Sequence, residues 1–159
     1  MQNETNNTKD RAGEPALHDI TEEELKAVLA DHVQWLDSKK SEGRAAKLEG
    51  YNLKGVVLLG ANLKSANLRG AFLYGAYLKN ADLEQADLSG ATLRGANLRW
   101  ANLKKADLSH TNLIRADLHE SQLGEANLEG ANLHMVEGLT RKQIEQALTS
   151  KTTRLPKTL

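Results

Sequence analysis

Five histidines are the side chains of this 159-residue chain best suited to acid–base catalysis or metal binding. They lie at positions 18, 32, 110, 119 and 134, and no two are four residues apart, as ligands on one helix face would be. Catalysis also requires a base and a nucleophile held together in one pocket. Since the sequence shows no such constellation, we expect no catalytic residues, no metal site and no cofactor.

Asparagine and aspartate form a second recurring set. They occupy 12 of the 18 positions that directly precede a series of evenly spaced leucines. Carboxylate and amide oxygens are ligands for calcium, but the glycine-rich nonapeptide pattern of calcium-binding β-rolls is missing. We therefore expect these side chains to form hydrogen bonds with neighbouring stretches of chain and with solvent.

The leucines themselves indicate the elements that position every other residue. Eighteen of them recur every five residues from Leu48 to Leu133, without an insertion or a deletion. A fixed short period over more than half of the chain is typical of a stacked repeat structure. A helix is excluded, because it would turn by about 500° in five residues and scatter the leucines around its axis.

Each five-residue unit predicts a short extended side followed by a corner. The residue two before the leucine is alanine in 14 of 18 units, with Tyr51, Val56, Thr111 and Ser121 as the exceptions. Residues two apart in an extended segment share a face, so alanine and leucine point inward and the Asn or Asp between them points outward. The two variable residues after the leucine must then turn the chain. The unit count alone leaves open whether three or four sides close a coil.

The unit Ala66-Asn67-Leu68-Arg69-Gly70 resembles the repeat of the pentapeptide-repeat family, and the in-register units over 46–135 carry this resemblance. It implies an all-β solenoid, a right-handed quadrilateral β-helix with about four and a half coils. The flanking segments, His32-x-x-Trp35-Leu36 and Gly138-Leu139-Thr140, are similar to those of bacterial members.

The flanks of the repeats predict a short α-helix at each end. We divide the chain into a disordered leader (1–16), an N-terminal capping helix (17–45), the repeats (46–135) and a C-terminal capping helix with an extended tail (136–159). Thr21 and Glu24 form a capping box for a helix over roughly 22–38, and Thr140 and Gln143 form a second one. Both helices would cover open ends of the solenoid.

The second corner residue changes character along the chain. It is glycine in eight units but a bulky residue such as Trp100, Lys105 or Glu120 in the later ones. Glycine suits a type II turn and bulky residues suit type I. We expect the turn type to switch near Gly95–Trp100.

Charge and composition limit the function. Lysine plus arginine and aspartate plus glutamate number 21 each, so the net charge is zero. Residues 46–115 hold ten basic and five acidic residues, whereas 116–135 hold four acidic residues alone. There is no cysteine, and no apolar run approaches a signal peptide or a membrane span. We expect a cytoplasmic protein that does not contact membranes.

Two adjacent walls of a four-sided coil would collect exposed aromatic and basic side chains. The candidate interaction surface consists of Phe72, Tyr74, Tyr77, Arg94, Arg99, Trp100 and Ile114. Such a strip can bind a protein. The alternative is that these side chains decorate the corners without a function.

The favoured hypothesis is a non-enzymatic module that binds an unknown protein partner through an outer wall or an end of the β-helix. Homo-oligomerisation through an end cap is also open. The resemblance implies an alternative, a DNA-mimic regulator of a type II topoisomerase, which the neutral and partly basic charge disfavours. Nucleic-acid binding is disfavoured too, because the basic residues Lys54, Arg94, Arg99, Lys104, Lys105 and Arg115 are spread over three walls.

Overall fold

The computed structural model describes residues 17–157 and 159. Two helices, α1 (Glu22–Asp37) and α2 (Arg141–Gln146), flank a stack of coils. Over the described residues the coils pair through isolated parallel β-bridges, because a turn interrupts the chain after every three residues. No helix in it is long and apolar enough to cross a bilayer. The predicted disordered leader, 1–16, lies outside the described residues.

The bridges give the coil four sides, a number that the repeat period alone left open. Within the repeats each bridge joins an outward residue to the one twenty positions later, as in Lys47–Asn67 and Asn67–Asp87, so four units complete one turn. We name the sides by their outward residues: side A (Asn52, Phe72, Thr92, Asn112, Asn132), side B (Val57, Tyr77, Asn97, Asp117, Glu137), side C (Asn62, Asp82, Asn102, Gln122) and side D (Lys47, Asn67, Asp87, Asp107, Asn127).

Leucine and alanine fill the interior of the coils. All eighteen repeat leucines are at most 3% exposed, which confirms that they point inward. Thirteen of the fourteen repeat alanines are buried as well, and Ala61 is partly buried against the core. Tyr51 also packs on the core, as predicted, and its ring lies 5.6 Å from that of His18. The absence of large inward side chains lets successive coils stack closely.

Backbone hydrogen bonds run along the solenoid axis. Asn67 N–H donates to Ala46 O at 2.9 Å, and Asn67 O accepts from Leu48 N–H at 2.7 Å. A third bond joins Gly50 N–H to Arg69 O at the corner, at 2.9 Å. Because this pattern repeats from coil to coil, a residue's neighbours along the axis are those twenty positions away.

The corners share one conformation, and the predicted switch of turn type is wrong. The second corner residue has a positive φ in all eighteen units, from Gly50 at 69° through Trp100 at 56° to Met135 at 58°. Leu63 O accepts from Ala66 N–H at 3.0 Å, which closes a β-turn with Ser65 at φ 59°. A positive φ at this position defines a type II turn. Fifteen of the eighteen second corner residues donate an axial backbone bond whichever side chain is present, whereas Glu120, Gly130 and Met135 keep the positive φ without one among the described residues.

The repeated Asn and Asp side chains stabilise the corners. Each of the twelve accepts a hydrogen bond at Oδ1 from the backbone N–H two residues later, as Asp87 does from Ser89 at 2.9 Å. These are Asx turns. Fewer of these side chains form the predicted hydrogen bonds between coils. One that does is Asn102, whose Nδ2 donates to Asp82 Oδ1 at 3.0 Å. The Asn and Asp residues thus prepare the chain for each turn.

Helix α1 lies over the first coil. The predicted capping box is present, since Thr21 and Glu24 each accept a hydrogen bond from the other's backbone N–H. Leu25 belongs to the core, and Val28 and Leu29 pack against it. The apolar stripe of the helix therefore faces the end of the solenoid.

His32 joins α1 to the first coil and is fully buried. Its Nδ1 accepts a hydrogen bond from Ala46 N–H at 3.1 Å, so the neutral ring carries its proton on Nε2. Nε2 has no partner of hydrogen-bond geometry within the described residues. Burial lowers the pKa of His32, and the backbone of Lys64 offsets only part of that shift. His32 is therefore a packed residue between α1 and the first coil.

The C-terminal segment covers the last coil. Gln143 completes the second predicted capping box, and its Nε2 donates to Ser121 O at 2.9 Å. The chain then continues the ladder, because Leu148 pairs with Asn127 and Arg154 with Asn132. Glu137 pairs with Asp117 on side B. Segments outside the repeats thus close this end.

We expect Gly75→Ala to lower the free energy of unfolding by about 1 kcal/mol, because Ala adopts a positive φ poorly. Gly75 has φ 64°, and a Cβ added there would meet no atom within 4 Å, so backbone strain alone acts. Lys105→Gly, at an equivalent corner with φ 57°, is the matched reverse change and should not destabilise. Urea denaturation measures both; an unchanged midpoint for Gly75→Ala would contradict the strain.

We expect stability to fall as the pH drops below about 6.5, the ordinary histidine pKa. The lowered pKa of His32 means that the unfolded chain binds a proton that the folded chain excludes. One such site contributes at most about 1.4 kcal/mol per pH unit. Denaturation curves of His32→Phe should lose this component, whereas the exposed His134→Phe should keep it. Equal pH slopes in the two variants would refute the assignment.

Candidate functional site

The seven predicted surface residues lie on sides A and B and on the corners that follow them, which we call the AB surface. Phe72 is on side A and Tyr77 on side B. Tyr74, Arg94 and Ile114 follow one another down the corner after side A, because Gly75 N–H bonds to Arg94 O and Gly95 N–H to Ile114 O. Arg99 and Trp100 lie on the corner after side B. The predicted set is therefore one continuous surface, two sides wide.

An aromatic pair forms the upper part of this surface. The rings of Phe72 and Tyr74 stack with centroids 6.1 Å apart and planes 14° from parallel. Phe72 is half-buried, whereas Tyr74 is 42% exposed. Lys54 Nζ lies 5.9 Å from the centre of the Tyr74 ring, within the range of a cation–π contact. The sequence did not predict this cation as part of the site.

Trp100 is the centre of a second group. Lys79 Nζ and the guanidinium carbon of Arg99 each lie 4.8 Å from its ring, and the side chain is 43% exposed. Arg99 also forms an ion pair with Asp117, at 3.2 Å. The cations fix the indole in place on the corner. Trp100 keeps this arrangement at φ 56°, a conformation that favours glycine.

Tyr77 lies between the two groups and is 50% exposed. Within the described residues its ring pairs with no other ring, so the aromatic side chains form two separate groups and a single residue between them. Arg94 is exposed and Ile114 half-buried. The structure thus brings the seven residues onto one surface.

Charge is segregated around the circumference, which the sequence analysis along the axis missed. Five basic residues of 46–115 lie on the AB surface and five on sides C and D with their corners. All five acidic residues of that segment lie on sides C and D: Glu49, Asp82, Glu84, Asp87 and Asp107. The upper AB surface is therefore basic and aromatic. Grouping the residues by their position in a twenty-residue coil would have revealed this segregation of charge from the sequence.

The lower AB surface is acidic and contains a cluster of three titratable side chains, Arg99, Asp117 and His119. His119 Nδ1 lies 2.6 Å from Asp117 Oδ1. Burial opposes the ionisation of Asp117, but hydrogen bonds from His119 and Arg99 outweigh it and lower the pKa of that carboxyl. His110 and His134 lie on other corners. The part of the chain that the structure describes has no group of three or more potential metal ligands.

The repeats match the model of the pentapeptide-repeat family in eight copies, over matched stretches of 44–80, 58–95, 73–109 and 96–134. These stretches together span more than half of the chain. The protein belongs to the pentapeptide-repeat family. Comparison with curated proteins finds no significant match.

Two solved structures show the same fold. A pentapeptide repeat protein (Rfr23) from the cyanobacterium Cyanothece 51142 is 28% identical, with a TM-score of 0.66, and the match covers 80% of this chain and 99% of that one. A pentapeptide repeat protein from the thylakoid lumen of Arabidopsis thaliana is 29% identical, with a TM-score of 0.51, covering 70% and 84%. Full-length QnrB1, a plasmid-mediated fluoroquinolone resistance protein, is 14% identical with a TM-score of 0.34, and the match covers 71% of this chain and 70% of that one. This similarity is too low to support an inference about this chain.

We expect Trp100→Gly to leave the free energy of unfolding within about 0.5 kcal/mol of the parent. Relief of the positive φ, about 1–2 kcal/mol, offsets the added chain entropy and the lost cation–π contacts, about 0.5–1 kcal/mol each. Trp100→Ala keeps the strain and loses the contacts, so it should cost about 1 kcal/mol. Chemical denaturation compares them; a Gly variant less stable than the Ala variant would contradict this balance.

Proposed function

We propose that this member of the family is a non-enzymatic interaction module that binds a protein partner through the AB surface. The observation that supports the proposal best is the exposed, cation-supported Trp100 on a surface whose upper part carries no acidic residue. The proposal includes right-handed winding, about four and a half coils, and capping units at 17–45 and 136–159.

Aromatic side chains held by their neighbours are effective interface anchors. They bury a large area on binding while losing little conformational entropy, and Trp, Tyr and Arg dominate measured interface energies. Here Tyr74 and Trp100 are already ordered by contacts with Lys54, Lys79 and Arg99. The axial hydrogen bonds fix the spacing between these anchors. A partner would therefore meet a largely preformed surface.

Regulation of a type II topoisomerase by DNA mimicry is the weaker alternative. A mimic of duplex DNA requires a continuous negative surface, whereas the acidic residues of the repeats are confined to sides C and D and to the lower end. Nucleic-acid binding would use the basic residues of the AB surface. Asp117, Glu120 and Glu137 make the lower part of that surface acidic, which does not favour a phosphate backbone along its length.

The test combines Tyr74→Ala, Tyr77→Ala and Trp100→Gly in one variant. We expect it to bind the native partner, isolated by affinity purification and then measured in purified form, at least about tenfold more weakly, because each anchor contributes on the order of 2 kcal/mol. The matched control changes Lys47, Arg69 and Lys104 to Ala, which are equally exposed residues on sides C and D. Circular dichroism checks that both variants are folded.

If the triple variant binds as tightly as the parent and the control binds weakly, the AB surface is not the interface. Two further assays address the alternatives with the unmodified protein. We expect no inhibition of gyrase supercoiling and no mobility shift of single-stranded or duplex DNA at micromolar protein. Inhibition of gyrase would favour DNA mimicry, and a salt-sensitive shift would favour nucleic-acid binding.

A further inference from the structure

The first coil has an open backbone edge on side B. One coil below, Tyr77 N–H donates to Val56 O and Tyr77 O accepts from Leu58 N–H, both at 2.9 Å. Val57 occupies the equivalent position above, so its own N–H and C=O point away from the solenoid along the axis. Within residues 17–157 neither group has a backbone partner. We call residues 56–59 the Val57 edge.

Side A of the same coil is covered by the chain itself. His18 N–H donates to Gly50 O at 3.0 Å, and His18 O accepts from Asn52 N–H at 2.8 Å. The chain then enters α1 at Glu22 and leaves sides B, C and D without a partner strand, because Val57, Asn62 and Lys47 have no backbone partner within residues 17–157. At the opposite end Glu137 pairs with side B of the preceding coil. The two covered edges show that a short segment from outside the repeats can add to a coil end. Side B of the first coil lacks such a segment within the described residues.

The Val57 edge is also apolar. Val57 is 66% exposed and Leu59 is 58% exposed, which are high values for large hydrophobic side chains in this structure. A cleft of about 430 Å³ lies between the edge and α1, lined by Ile20, Leu25, Leu29 and Leu53 among others. An added strand would place alternate side chains into this cleft and in line with Val57. Apolar residues suit both positions.

The charges near the cleft select the partner's chemistry. Lys26 is neutralised by Glu22, and Lys54 is a cation on the rim without an ion pair among the described residues; the carboxylate of Asp19, above side A, accepts a hydrogen bond from Asn52 Nδ2. Lys79 lies below Leu59 on the same corner, since Gly60 N–H bonds to Lys79 O. No acidic side chain occurs on the upper AB surface beneath. A peptide that carries acidic residues beside its apolar ones matches this rim.

A second copy of the chain fits this edge poorly. Helix α1 lies across the coil end, with Leu25 and His32 buried against it. Two copies brought to the strand spacing of about 4.8 Å would force their α1 helices into the same space. A single extended peptide needs only the strip beside α1. The occupant that the geometry admits is therefore a strand and not a second solenoid end.

We propose that the Val57 edge binds an extended peptide of apolar and acidic residues from a partner protein, by adding it as a strand to the first coil. The main-chain bonds to Val57 would supply the register, and the cleft beside α1 would take an apolar side chain. This proposal rests on the proposed function in one respect only, that the partner is a protein. Its contacts lie above Tyr74, Tyr77 and Trp100 and do not involve those side chains.

Amide hydrogen exchange of the full chain tests the open edge first. We expect the Val57 amide to exchange at least about tenfold faster than the Tyr77 amide, its hydrogen-bonded equivalent one coil below. A protected Val57 amide in the free monomer would mean that another part of the chain already occupies the edge, and would overturn the proposal. A Val57 amide that becomes protected with concentration, in step with dimer formation, would overturn it in favour of a second copy.

Selection from a displayed library of short random peptides then tests the occupant. We expect selected peptides to alternate apolar and acidic residues and to slow exchange at Val57 by at least about tenfold when bound. Val57→Pro removes the donor without breaking a bond seen in the structure, and should abolish binding; Asn62→Pro, at the equivalent position of side C, is the control, and it also loses the hydrogen bond from Lys64 N–H to Asn62 Oδ1. Val57→Glu should weaken binding more than Val57→Lys, and it serves if the proline variant does not fold.

Failure to enrich any peptide, or peptides that bind the Val57→Glu variant as well as the parent, would overturn the proposal. So would peptides with basic in place of acidic residues. The variant with Tyr74, Tyr77 and Trp100 changed should still bind the selected peptides. Loss of peptide binding and loss of AB-surface binding are thus separate results, and either can occur without the other.

Discussion

The hydrogen bonds between coils are the interaction on which the rest of this structure depends. They join each side to the residues twenty positions away, so they determine which side chains become neighbours on the surface. Phe72 comes to lie under Asn52, and Tyr77 under Val57, only because four units close one coil. The same ladder includes an axial bond from the second residue of fifteen of the eighteen corners. Interior packing of leucine and alanine then excludes water from the axis and keeps these bonds intact.

The corners show how a tertiary constraint overrides a local preference. Ten of the eighteen second corner residues are not glycine, yet all have a positive φ. The backbone N–H of such a residue, as in Lys105 to Gly124 O at 2.9 Å, donates along the axis and keeps the ladder continuous. A type I turn would change the direction of that donor. The bulky residues therefore accept strain, and at Trp100 contacts with Lys79 and Arg99 accompany it.

The two ends of the solenoid differ in how completely they are covered. At the C-terminal end, Glu137, Leu148 and Arg154 extend the ladder and Gln143 Nε2 donates to Ser121 O. At the N-terminal end, the path of the chain into α1 covers the core and side A, and the Val57 edge has no partner among the described residues. This edge lies directly above the basic and aromatic AB surface. The features suited to a protein partner are therefore concentrated on one quadrant of the molecule.

The sequence by itself determined what depends on short-range order: the inward leucines and alanines, the outward Asn and Asp, and the helix starts at Thr21 and Thr140, whose capping boxes involve residues three apart. It also predicted the seven residues of the candidate surface once a four-sided coil was assumed from family resemblance. Only the tertiary structure decided the four units per coil, the uniform corners, the circumferential charge and the open edge at Val57. Each of these depends on bonds between residues twenty or more positions apart, or on the path of the chain outside the repeats, and a five-residue pattern contains neither.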